Sequence, residues 1–74
     1  FNESLTIQIT NPEAEMTQVL VFDFMGRAVA DLFNDTLKGT HSLQWNAAEL
    51  PSGTYFVRVS TASKTVTQSI ILAR

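Results

Sequence analysis

One histidine, His41, and no cysteine occur among the 74 residues, which restricts the available chemistry at once. A nucleophile–base–orienter set needs a histidine or an equivalent base. His41 sits where a strand is expected to begin and reads as a solvated strand-end residue. Ser52 lies in Pro51-Ser52-Gly53 rather than in G-x-S-x-G, so no nucleophile elbow is supported. Glu13 and Glu15 share a loop and Asp31 and Asp35 flank a turn; neither pair comes with the pattern of a pocket, so both read as solvated carboxylates. Without cysteine, a disulfide frame or a Cys/His zinc site is impossible. The Asp/Asn/Gly density of a calcium loop is missing too. The reading is a non-catalytic chain with no metal and no cofactor.

The remaining polar and aromatic candidates read as structural. Asp23 precedes Phe24-Met25-Gly26, where an aspartate accepts backbone N–H bonds and fixes a turn. Trp45 and Tyr55 alternate correctly to enter a core; a stacking platform for sugars or bases is the competing use of such rings. Asn2-Glu3-Ser4 and Asn34-Asp35-Thr36 match the N-glycosylation pattern, which is short and common enough to arise by chance.

The elements that must carry these residues are strands. Valine, isoleucine and threonine, the strand formers, make up 19 of 74 residues. The apolar share of 45% supplies one core, and the length fits one small domain. Charged residues are only 16%, with a net charge of −2 and a pI near 5.0. That balance excludes the basic stripe of a nucleic-acid module and a polybasic membrane anchor. No apolar run reaches transmembrane length. The pattern begins abruptly at Phe1, so the chain reads as a piece of a longer multidomain protein, forming one domain over residues 1–74.

Period-2 alternation recurs throughout, and no window holds a helical stripe. Leu5, Ile7 and Ile9 alternate with polar residues in a first strand, which Asn11-Pro12-Glu13 is expected to break. A second strand, from about Thr17 to Phe24, is apolar on both faces, with Val19 and Val21 on one and Leu20, Phe22 and Phe24 on the other, as in a central strand or one with a face covered by a neighbouring domain. Met25-Gly26-Arg27 makes a hairpin turn with Gly26 at positive φ. A third strand covers roughly Ala28 to Phe33. Asn34-Asp35-Thr36 and Lys38-Gly39-Thr40 read as turn chemistry around a lone Leu37. A fourth strand spans His41 to Asn46, and Ala47–Leu50 suits one helical turn before Pro51-Ser52-Gly53. Tyr55, Val57 and Val59 mark a fifth strand, and the last runs from about Thr65 to Leu72. The expected fold is all-β: a small immunoglobulin-like antiparallel sandwich of six to seven strands. Its core should be lined by Leu5, Ile7, Val21, Val29, Leu43, Trp45, Tyr55, Val57 and Ile70.

Three blocks are more specific than strand patterning requires. Val19–Val29 resembles the "V-x-V-Y-D-x-x-G-R-x-V" block of the type IX secretion C-terminal sorting domains, on Asp23, Gly26 and Arg27. Gly39–Asn46 resembles that family's "G-x-H-x-x-x-W-[DN]" block, on Gly39, His41 and Trp45. Leu50–Val59 is similar to its "L-x-S-G-x-Y-F-x-R-[VL]" block, on Gly53 and Tyr55, and Phe1-Asn2 matches the second half of its opening "N-P-F-N". Gln68 and Ser69 depart from the pattern, because the family carries a lysine there.

The resemblance implies an address label: a module that directs an exported cargo, the N-terminal domain of the same chain, through the periplasm to the cell surface or medium. The partner it implies is the outer-membrane sorting machinery of a Bacteroidota-type bacterium. Recognition would fall on the last strand, at Ile70, Ile71, Leu72 and Arg74, and the missing lysine would weaken that signal. Asp35-Thr36-Leu37 resembles the short O-glycosylation motif of that phylum. The alternative function is an accessory immunoglobulin-like spacer or binding module of an extracellular hydrolase, carbohydrate-binding if its aromatics are exposed. The flagellar hook-capping family has a similar sandwich.

Overall fold

A computed structural model of the protein describes residues 4–48 and 50–73. Its four strands are β1 (Ser4–Phe22), β2 (Ala28–Asn46), β3 (Gly53–Thr61) and β4 (Thr65–Leu72). They form one antiparallel sheet in the order β2-β1-β3-β4, with open edges. All-β architecture is therefore observed, but in four strands and not in six to seven. The expected first and second strands are continuous as β1, and the third and fourth as β2. Asn11-Pro12-Glu13 does not end a strand, and the segments 34–36 and 38–40 are strand, not turns.

Length shows what these long strands must do. Nineteen residues in one extended strand would span about 60 Å, whereas the molecule measures 37 × 21 × 15 Å. The β1–β2 hairpin therefore bends. Asn11 pairs with Gly39 and the next pair is Glu15 with Leu37, so β1 takes three residues around the corner against one on β2. Gly39 adopts φ +83° at that corner, a conformation that a β-carbon would strain. Asn11, buried to 2% exposure, holds the bend: its amide donates to Thr17 Oγ1 at 2.9 Å and to the Leu37 carbonyl at 3.1 Å. The Thr17 hydroxyl in turn donates to the Glu15 carbonyl at 3.1 Å.

The bend lays the first half of β1 and the second half of β2 over the rest of the sheet. Trp45, on β2, meets Tyr55, on β3, edge-on, with ring centroids 5.8 Å apart and planes at 70°. Among the expected core residues, Val21, Leu43, Trp45, Tyr55 and Val57 are buried, whereas Leu5, Ile7, Val29 and Ile70 are partly buried against them. Ile9, Val19, Leu37, Ala47 and Leu72 complete the core. Two further bulges on β2 pass over Leu32 and Val29, which interrupts the simple alternation there. The second half of β1 is central, between β2 and β3. It carries Val19 and Val21 inward and half-buried Leu20 and Phe22 on the other face.

Candidate recognition site

Asp23 and Arg27 build the tip of the β1–β2 hairpin. The Met25 and Arg27 amides both donate to Asp23 Oδ1 at 2.9 Å, and Arg27 Nε donates to Oδ2 at 3.0 Å. The Gly26 amide donates to the Asp23 carbonyl at 3.0 Å, and the Asp23 amide to the Arg27 carbonyl at 2.9 Å. Gly26 takes φ +83°, as the turn requires. The Asp23 carboxyl is held below 3.8, chiefly by the Arg27 amide and further by the Arg27 side chain and charge and the Met25 amide; desolvation opposes them. Every bond of this aspartate serves the turn, and the role expected from sequence is the one seen.

Tyr55 anchors the segment before β3. Its hydroxyl donates to the Pro51 carbonyl at 2.6 Å, and within that segment the Leu50 amide closes a single turn onto Ala47 O at 3.0 Å. Trp45 and Tyr55 are each only 4% exposed. A sugar platform needs open ring faces, so these two rings do not form one. Gly53 opens β3 opposite Leu72, at φ +158°.

The candidate catalytic and metal residues stay apart. His41 is exposed on β2 with its ring 5.4 Å from that of Phe33. Asp35 accepts its neighbour's amide, from Thr36, at 2.7 Å. No group of three potential metal ligands occurs among the described residues.

The last strand sorts its apolar run by alternation. Leu72 faces inward and is 1% exposed, Ile70 is half-buried opposite Tyr55, and Ile71 is 66% exposed opposite Thr54. Arg74 lies outside the described residues. Ile71 shares the outer face with half-buried Phe56 and with Phe22, whose ring lies 4.6 Å beneath the Arg58 guanidinium. The two-sided apolar pattern of Leu20 and Phe22 against Val19 and Val21 already signalled an outer apolar face in the sequence; the pairing adds Phe56 and Ile71 to it.

The family model described as "Secretion system C-terminal sorting domain" matches residues 1–73. The chain belongs to that family. No curated protein and no solved structure gave a significant match. A sorting domain of the type IX system is a secretion signal for cargo proteins and is non-catalytic. Membership implies engagement with the secretion machinery and secretion or export to the cell surface. For this sorting domain the relevant chemistry is therefore surface recognition, and β4 with its outer face is the candidate.

Proposed function

We propose that this domain is read at the outer membrane through β4, after an N-terminal cargo domain of the same protein has reached the periplasm. The observation that carries the reading is the position of Ile71: 66% exposed on an edge strand, beside Phe56 on the outer face. A machine that reads a folded domain needs a surface that folding leaves open, and an edge strand offers backbone pairing with few specifying side chains. Ile70, Ile71, Leu72 and Arg74 form the signal, with Ile71 its outward contact and Leu72 tying the strand to the core. Gln68 and Ser69 in place of the family's lysine weaken recognition without abolishing it. The bent hairpin over β3 and β4 is the frame of an immunoglobulin-like sandwich, and residues 1–74 act as one separable unit behind their cargo.

The test removes Ile70–Arg74 from the parent protein in a type IX-competent host and fractionates the cells. Truncated protein should stay in the periplasm with its cargo domain folded. Equal export of both versions would defeat the reading and favour the spacer function.

A further inference from the structure

The bent hairpin places two strand-widths over four. The second half of β1, the first half of β2, β3 and β4 make the broad layer, and residues 4–11 of β1 with 39–46 of β2 make the narrow one. An inward-facing residue of the broad layer is consequently left uncovered. Val66 pairs with Val59, in line with buried Val57 and Tyr55, yet is 52% exposed. Between the layers runs a groove of about 350 Å³, with Leu5, Ile7 and Ile9 along one wall and Val59, Val66 and Ile70 along the other. Residues 5–11 pair with β2 on one side, and β3 joins β1 only from Thr17 onward. The groove is therefore bordered by a strand edge seven residues long.

That edge lacks the devices that normally protect one. Exposed edges are blunted by charge, proline or bulges, but Leu5-Thr6-Ile7-Gln8-Ile9-Thr10-Asn11 carries none until Pro12. Among the described residues Lys64 is the single charged one lining the groove, at its Asn11 end, where Asn11 bonds Thr17, Thr17 pairs with Thr61 and Thr61 bonds Lys64. We infer that the groove is a docking site for an extended strand of a partner protein, added antiparallel to residues 5–11, with apolar side chains at alternate positions and an acidic residue at its N-terminal end. Backbone bonds to the β1 edge supply affinity, the apolar positions cover Val66 and Ile70, and the acid pairs with Lys64. Antiparallel addition continues the pattern of every pair in the sheet, and it brings the strand's N-terminus to Lys64. The groove is distinct from the outer face of β4, so a domain that fails to direct export would still take the strand.

The test uses the 74-residue domain and the peptide acetyl-Glu-Thr-Val-Thr-Val-Thr-Val-amide, whose glutamate and valines share one face of the strand, followed by amide hydrogen exchange. Saturating peptide should slow exchange across residues 5–11. Lys64 is exposed, so Lys64→Glu folds; it should weaken binding about threefold to tenfold, and a peptide beginning with Lys should restore it. Unchanged exchange at residues 5–11 would overturn the inference, as would protection confined to β4 or equal affinity for Lys64→Glu. Protection that rises with protein concentration in the absence of peptide would also overturn it, because the occupant would then be a second copy of the chain.

Discussion

The Asn11 side chain donates to Thr17 Oγ1 at 2.9 Å across the corner of the β1–β2 hairpin, six residues apart in one strand. Both residues are buried, at 2% and 0% exposure. The second amide hydrogen of Asn11 goes to the Leu37 carbonyl on β2, so one side chain ties three points of the bend. Without it the layers have no polar reason to fold at this residue and not elsewhere. Polar groups buried in so small a core must be satisfied, and every buried side-chain polar atom of the described residues is.

Asn11→Ala should therefore cost about 1–3 kcal/mol, since it strands the Leu37 carbonyl and removes the donor to Thr17. A domain of this length has roughly 4–11 kcal/mol in total. Thr17→Val keeps the shape but removes the hydroxyl. The double variant should lose less than the sum of the two single losses, because both break one network. Urea unfolding of the four proteins measures this. Strict additivity would show that the corner is held by something else.

Trp45 and Tyr55 join the two layers, and Trp45→Ala should cost on the order of 3–5 kcal/mol. At about 4–8 °C per kcal/mol for a domain this size, the variant should be largely unfolded near room temperature. Far-UV circular dichroism against temperature tests it. A melt within a few degrees of the parent would place no weight on the contact between the rings.

At Gly26 the penalty is in the backbone alone. A β-carbon there meets nothing within 4 Å, yet φ is +83°. Gly26→Val should destabilise by roughly 1–3 kcal/mol, and Gly26→Asn by less, since asparagine tolerates that region. Equal losses for Val and Asn would point to a clash and not to strain.

Acid should loosen the same turn. The Asp23 carboxyl is held below 3.8 in the folded protein, so its contribution is complete above that value. It is lost as pH falls through the lower folded value. The Met25 and Arg27 amide resonances should titrate together with a midpoint below 3.8, and Asp23→Asn should abolish that step. A midpoint at or above 3.8 would mean that the Arg27 and Met25 bonds do not persist in solution.

Fold class was legible because Leu5–Thr10 and Tyr55–Ser60 alternate cleanly, and the hairpin tip because Asp23 and Gly26 are turn residues with a mechanism. Strand continuity was not. Asn11 and Pro12 are boundary residues by type, but Asn11 turns its side chain inward to bond across the bend, and Pro12 sits exposed within the register shift. Leu37 looked isolated between two polar clusters, yet the corner carries it into the core at 4% exposure. In the candidate site, Ile70-Ile71-Leu72 is continuously apolar; an inward Ile70 turns Ile71 outward by alternation, but that Leu72, and not Ile70, is the fully buried residue is decided by the pairing with β3.

That assignment separates signal from fold. Ile71→Ser replaces an exposed side chain, so stability should change by no more than the small range typical of surface substitutions, about ±0.5 kcal/mol. Leu72→Ser should cost on the order of 2–5 kcal/mol by emptying a core position. If β4 is read through its outer face, Ile71→Ser should lower export of the full-length parent while its sorting domain remains folded. Leu72→Ser should lose export only together with folding. Both quantities come from one set of samples: a thermal melt of the isolated domain and the ratio of cargo in medium and periplasm. Normal export of the Ile71 variant would remove the outer face of β4 from the recognition surface, whatever the truncated protein does.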